Sequence, residues 1–212
     1  MSSITVIMIR HGATAWNAAG RYQGRADLAL SASGQAEAAT VAERLASVPV
    51  AMVFSSPLRR AAETASHVAR PHAISVRHDA ALVEIDYGAW EGLTQPEIKQ
   101  RWPDLLRQWK RAPEAVRFPG GESLIEARDR LRGFFARLPA GIEPGATVAV
   151  VTHQVLIRLA VLEQLGYTAN ARRDADGGTG TLHAFTIRHG RIEAAPSNRT
   201  PRIEQTGGAP CA

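Results

Sequence analysis

The 212-residue chain reads as an α/β protein: a three-layer sandwich with a mostly parallel central sheet flanked by helices. Three observations predict this. Ile4–Ile9, Val50–Phe54 and Thr147–Val151 are short, apolar and rich in β-branched residues, as buried strands are. Each is followed by polar residues and then by apolar residues at helical spacing, the rhythm of βα units. No segment repeats another, and the length suits one α/β domain with a full core.

The elements follow in order. Ile4–Ile9 is the first strand. Ser31 can cap a helix from about Gly34 to Ala46, with Ala38, Val41, Ala42 and Leu45 on one face. After the strand Val50–Phe54, Ser56 and Pro57 look like an N-cap and a first helical residue, so a helix is expected over Pro57–Ala69. Ile74–Val76 reads as a short strand. Thr94 with Glu97 forms a capping box, so a helix should begin near Gln95. Pro103 should break it, with a second piece running through Trp109. Ser123 with Glu126 is another capping box, before Leu124, Ala127, Leu131, Phe134, Phe135 and Leu138 at helical spacing. The strand Thr147–Val151 leads to a helix carrying Leu156, Leu159, Ala160 and Leu162. Residues 169–181 are polar and Gly-rich, hence a loop, and Leu182–Ile187 is a late strand. Residues 1–195 are therefore expected to form a single domain and 196–212 a loose tail, although Asn198 faintly echoes a motif position.

Composition narrows the partners. Hydrophobic residues are 45% and charged residues 21%, ordinary for a globular chain. The net charge of +5 has no long basic block behind it, so nucleic acid is not the expected partner; a basic mouth for anionic substrates is. No apolar run approaches the ~20 residues of a membrane span. Ile4–Ile9 is too short for a signal-peptide core. Cys211 is the only cysteine, which rules out an intrachain disulfide and a cysteine-held zinc. A cytoplasmic location is the default expectation, and self-association as a homodimer stays open.

The chemistry gathers where strands end. Arg10-His11-Gly12 directly follows the first strand, at the carboxyl edge where open α/β sheets bind ligands. Arg10 offers a forked cation suited to phosphate, and Gly12 lets the backbone approach a ligand closely. Arg60 falls in the first turn of a helix, at its partly positive end. His153 follows the strand Thr147–Val151. Two histidines and two arginines thus share one edge, where a phosphate could be ringed by donors and attacked by one imidazole. A zinc site at His11 and His153 is disfavoured: no further ligand has the spacing, and two arginines would repel a cation. His67, His72, His78, His183 and His189 read as surface or core residues, and Arg59 and Asp86 as structural neighbours of the active groups.

From about residue 4 to about residue 165 the chain resembles the histidine phosphatase superfamily, in its phosphoglycerate-mutase-like branch. The motifs are Arg10-His11-Gly12, Ser55-Ser56-Pro57-Leu58-Arg59-Arg60-Ala61, Glu84-Ile85-Asp86-Tyr87-Gly88 and Val150-Val151-Thr152-His153. Trp16-Asn17, Tyr22-Gln23-Gly24, Trp90-Glu91-Gly92 and Gly121-Glu122-Ser123 also match. The resemblance implies a phosphoglycerate-mutase-like fold, His11 as phosphoryl acceptor, Arg10, Arg60 and His153 as phosphate clamps, and Glu84 as proton donor. It adds Asn17, Gln23, Gly24 and Gln154 as substrate-binding positions. Many members carry Gly-Gly after the second histidine; here Gln154-Val155 stands there, a His-Gln pairing known in the fructose-2,6-bisphosphatase branch. The stretch Gly177–Thr181 lacks a clear counterpart. In the family the insertion after the acid motif builds specificity, so residues 93–120, with Trp102, Trp109 and several basic residues, are the expected lid. Taken singly, most of those residues suit ordinary amphipathic helices with tryptophans in the core.

The expected activity is a metal-independent phosphatase without a cofactor, hydrolysing a small phosphate monoester through phosphohistidine. The alternative is a 2,3-bisphosphoglycerate-dependent phosphoglycerate mutase, which usually has a longer lid and tail. An inert phospho-ligand binding module is third, weakened by the presence of both His11 and Glu84. The expected partner is a small phosphorylated metabolite.

Overall fold

The computed structural model describes residues 3–138, 141–168 and 178–193. Its strands are β1 (Ser3–Arg10), β2 (Val50–Ser55), β3 (Val76–His78), β4 (Thr147–Thr152), β5 (Leu182–Arg188) and β6 (Arg191–Ile192). Its helices are α1 (Ala15–Ala18), α2 (Ala32–Leu45), α3 (Arg59–Ala69), α4 (Gln95–Arg101), α5 (Pro103–Arg111), α6 (Leu124–Arg137) and α7 (Gln154–Gln164).

Side-chain alternation along the two central strands sets the layers. Val6 and Met8 of β1, with Val148 and Val150 of β4, join one buried cluster. Ile7 and Ile9, with Ala149 and Val151, join another on the opposite face. A sheet that is apolar on both faces must be covered on both. Val41 and Leu45 of α2 and Ala61, Ala65 and Val68 of α3 cover the second face. Leu131, Phe134 and Phe135 of α6 and Leu156, Leu159 and Ala160 of α7 cover the first. Each fully buried Leu or Phe there contributes roughly 1.5–3 kcal/mol over exposure.

The strand order is β3-β2-β4-β1-β5-β6. β1, β2, β3 and β4 run parallel, while β5 and β6 add an antiparallel edge. β1 and β4 lie side by side with Arg10 opposite Thr152. His11 N–H donates to the Thr152 carbonyl at 3.1 Å, and Ser56 N–H to that of Val151 at 2.9 Å. The ladder therefore continues one residue past the strands.

The cap at Ser31 is present, its Oγ accepting from Gly34 N–H, and both capping boxes at α4 and α6 are formed. Pro103 separates α4 from α5 as expected, although α5 runs on to Arg111. Two local expectations are corrected. Ser56 and Pro57 do not start α3, which begins at Arg59 behind Leu58 with no side-chain cap. Ser56 Oγ is committed elsewhere: it accepts from Leu58 N–H and bonds His153. The short strand falls at Val76–His78, not Ile74–Val76. Ala73 is in the left-handed region at φ 52° and Ile74 N–H still reaches back to Ala69, so the chain is leaving a helix there.

The segment after Gly92 packs as α4, α5 and a turn, with Ile98, Leu106, Val116 and Phe118 in the core. Trp102 and Trp109 are half-buried against it. No helix among the described residues is long and apolar enough to cross a membrane. The 196–212 tail, Cys211 and Asn198 lie outside the described residues, as does most of the 169–181 loop.

Candidate active site

The cleft sits past the carboxyl ends of β1 and β4. It encloses about 320 Å³, with Arg10, His11, Asn17, Gln23, Gly24, Arg60, Glu84 and Gln154 among its lining residues. Eight of the nine sequence-nominated residues are thus brought together. His153 is the exception: it is wholly buried behind the cleft, its ring 5.1 Å from that of His11.

His11 follows β1 and is 3% exposed. Its Nδ1 lies 2.7 Å from the Gly12 carbonyl, which can only accept, so Nδ1 carries the proton. Nε2 is then the unprotonated nitrogen, and Arg60 Nε–H points at it from 3.2 Å. Burial, and then Arg60, push the His11 pKa well below its ordinary value, so the imidazole is neutral at pH 7. Gly12 allows a close approach that the sequence did not disclose, to the backbone of α2. A Cβ there would meet the Gly34 carbonyl oxygen at 2.4 Å, so packing on α2 by itself requires the glycine.

Arg60, in the first turn of α3, is fully buried. Its Nη1 and Nη2 donate to the carbonyls of Ala26 and Gly24 at 2.7 and 2.8 Å. The loop bearing Gln23 and Gly24 therefore fixes the guanidinium. Gly24 itself is at φ 51°, and a Cβ there would strike the Glu91 carboxylate. Gln23 is nearly buried, and its Oε1 has no hydrogen-bond partner. Asn17 closes the capping box of α1: its Oδ1 accepts from Thr14 N–H at 2.9 Å, which leaves its amide N–H groups for the cleft.

Glu84 is 6% exposed. One carboxylate oxygen accepts from Ile85 N–H at 2.9 Å, the other from Val155 N–H in the first turn of α7 at 3.4 Å. Burial raises its pKa, against the opposing pull of the Ile85 N–H and of Arg60. A buried carboxyl with a raised pKa can hold a proton and donate it. His153 Nε2 bonds Ser56 Oγ at 2.8 Å, while Nδ1 is buried without a partner. Burial, Arg60 and His11 keep this ring neutral as well.

Arg59 and Asp86 are structural, as expected. Arg59 pairs with Glu63 at 2.8 Å, and Asp86 accepts from Gly88 N–H at 2.8 Å and lies 3.8 Å from Arg25. Among the other cleft residues, Arg21, Tyr87 and Arg158 had been given no role, and Trp109, named in the expected lid and read singly as a core residue, packs against the core and also lines the cleft. Burial keeps the Tyr87 hydroxyl protonated, its pKa well above the usual phenol value. Arg158 was legible: it lies four residues after Gln154 and so shares its helix face.

A mostly parallel sheet with an arginine-lined cleft at its carboxyl edge defines an α/β protein built to receive an anion. The model of the histidine phosphatase superfamily, branch 1, matches residues 6–200, and the chain belongs to that family. Phosphoserine phosphatase 1 of Hydrogenobacter thermophilus is 34% identical over 163 residues, 77% of either chain. A 2,3-bisphosphoglycerate-dependent phosphoglycerate mutase of Gloeobacter violaceus is 36% identical over 163 residues, 74% of either chain. Other relatives are longer, the match spanning 44% of their length. Among solved structures, mycobacterial glucosyl-3-phosphoglycerate phosphatase superposes with a TM-score of 0.78 at 29% identity, over 90% of this chain and 95% of that one.

Proposed function

We propose that the protein is a metal-independent phosphatase that hydrolyses a small phosphate monoester through phosphohistidine. The observation that carries this is the His11 tautomer: Nδ1–H tied to Gly12, Nε2 free of a proton in an arginine-lined cleft. Nε2 attacks phosphorus in line, the N–P bond forms and the ester P–O bond breaks. Protonated Glu84 gives its proton to the departing oxygen. Arg10, Arg60 and the Asn17 amide hold the phosphoryl oxygens as charge shifts among them, and the clamp role expected of His153 requires its buried ring to meet the phosphoryl group beside His11. Gln23, Gly24 and Gln154 complete the substrate pocket. In the second step the Glu84 carboxylate takes a proton from water, whose oxygen attacks phosphorus. The N–P bond breaks, phosphate leaves and neutral His11 is restored.

The segment 93–120 serves as the lid of the single domain 1–195, with Trp109 reaching the cleft. Its modest size leaves water a path to phospho-His11, which favours hydrolysis over return of the phosphoryl group to an alcohol. A cytoplasmic metabolite is the fitting substrate. Rapid acid-free quench with radiolabelled ester tests the reading. It should trap an acid-labile, base-stable phosphoryl group on His11, and His11→Ala should abolish both label and turnover. Undiminished turnover in His11→Ala would overturn the proposal.

A further inference from the structure

The charges lining the cleft do not balance a simple phosphate ester. Four arginines line it: Arg10, Arg21, Arg60 and Arg158. Arg21 is neutralised by Glu97 at 3.3 Å. Glu84 is the only acid among the lining residues, and it must be protonated for the first chemical step. A phosphate monoester brings up to about two negative charges. Those meet Arg10, adjacent to His11, and Arg60, whose Nε–H faces the attacking nitrogen at 3.2 Å. One full positive charge remains, on Arg158. Among the described residues Arg158 makes no ion pair or hydrogen bond, although it lines the cleft and its charge reaches the Tyr87 phenol.

The position of Arg158 is fixed by the helix that starts the site. Val155 N–H, in the first turn of α7, donates to Glu84, and Arg158 lies three residues further on. It therefore stands just under one turn, roughly 4.5 Å along the axis, from the residue whose N–H holds the departing oxygen's proton donor. Tyr87, which feels the charge of Arg158, offers a protonated hydroxyl in the same cleft, and Trp109 adds an apolar surface to its lining. A single guanidinium fork matches a planar monoanion through two parallel N–H···O bonds. Resting on the phosphatase reading, we propose that Arg158 forms a second-anion subsite that selects phosphate monoesters carrying a carboxylate a few bonds from the ester oxygen.

Non-hydrolysable ligands test this apart from turnover. Calorimetric titration compares 3-phosphonopropionate with propylphosphonate, which differ in the carboxylate. The full-length protein should bind the carboxylated ligand at least about tenfold more tightly, the worth of a charged hydrogen bond. In Arg158→Gln that ratio should fall to within about twofold of one, and in Arg158→Lys, which keeps the charge but loses the fork, to an intermediate value. A ratio near one in the unmodified protein overturns the proposal, as does a ratio unchanged in Arg158→Gln. If Arg158→Gln does not fold, an unchanged ratio in Arg158→Lys overturns it. Hydrolysis of p-nitrophenyl phosphate is measured alongside. Carboxylate preference without hydrolysis sinks the phosphatase reading alone; hydrolysis without preference sinks the subsite alone.

Discussion

Gly12→Ala should damage activity and stability together, and the size of the effect follows from one contact. The new Cβ would stand 2.4 Å from the Gly34 carbonyl oxygen, and 3.0 and 3.1 Å from its carbonyl carbon and Cα. Ordinary contacts begin near 3.4 Å, so the two backbones must part by about 1 Å. All three atoms are main chain, and no rotamer can relieve the clash. Overpacking of this kind costs about 1–3 kcal/mol, and each kcal/mol lowers Tm by roughly 2–4 °C in a domain of this size. The displacement also reaches His11, the proposed nucleophile. The Gly12 carbonyl holds His11 Nδ1 at 2.7 Å, and Gly12 N–H is pinned to Thr64 Oγ1 at 3.1 Å. A 1 Å misplacement of a reacting group lowers rate about 10²-fold. Steady-state kcat/KM on p-nitrophenyl phosphate and a calorimetric Tm measure both effects. Gly133→Ala is the control: it lies in α6, where a Cβ meets only the flexible Arg137 side chain at 3.5 Å, and it should be neutral or stabilising. Unchanged kcat/KM and Tm in Gly12→Ala would refute the packing argument and the coupling to His11.

Three further outcomes are expected. Glu84→Gln should slow esters with poor leaving groups by roughly 10²–10⁴ and those with good leaving groups far less; an equal loss in kcat/KM across a leaving-group series contradicts the proton-donor role. His11 and His153 are buried with pKa values pushed well below 6.5. Below about pH 6.5 the unfolded chain therefore takes up protons that the folded chain does not, and stability falls with pH by up to about 1.4 kcal/mol per unit per histidine. Glu84, with a raised folded pKa, opposes this, adding stability as pH falls through that pKa. Urea midpoints from pH 7.5 to 5.5 should decline, since two groups outweigh one; a flat profile removes the buried neutral histidines. Finally, ester hydrolysis should exceed isomerisation of 3-phosphoglycerate primed with 2,3-bisphosphoglycerate, and should survive EDTA, because Arg10 and Arg60 supply the positive charge. Faster isomerisation would mark a mutase, and activity lost to EDTA and restored by a divalent metal would refute the metal-free mechanism.

Much of this was readable in the chain because the signals are local. Ser31, Thr94 with Glu97, and Ser123 with Glu126 announce their helices through bonds made within one turn. Apolar runs mark β1, β2 and β4 because both sheet faces are buried. What failed depended on distant partners. Ser56 looked like an N-cap until the fold gave its hydroxyl to His153, 97 residues away. The packing of Gly12 against Gly34 of α2, 22 residues on, likewise had no local signal. Trp109 joins the cleft wall because it packs on Phe118, ring centroids 5.0 Å apart, which spacing along α5 cannot disclose. The antiparallel direction of β5 likewise left no mark in its composition.

The pairing of Arg10 with Thr152 across β1 and β4 has a consequence for the two histidines. Each histidine is the next residue after its strand, so the rings stand abreast because two neighbouring strands end at the same level. Their 5.1 Å separation is close to the roughly 4.8 Å pitch of any β-ladder. The gap between the two imidazoles thus follows the strand spacing of the sheet. A one-residue insertion within β1 or β4 would turn a histidine to the other face and break the pair at once. Changes in residues 93–120 leave that spacing alone. The spacing of the two imidazoles is held by main-chain hydrogen bonds, which substitutions in that segment do not touch.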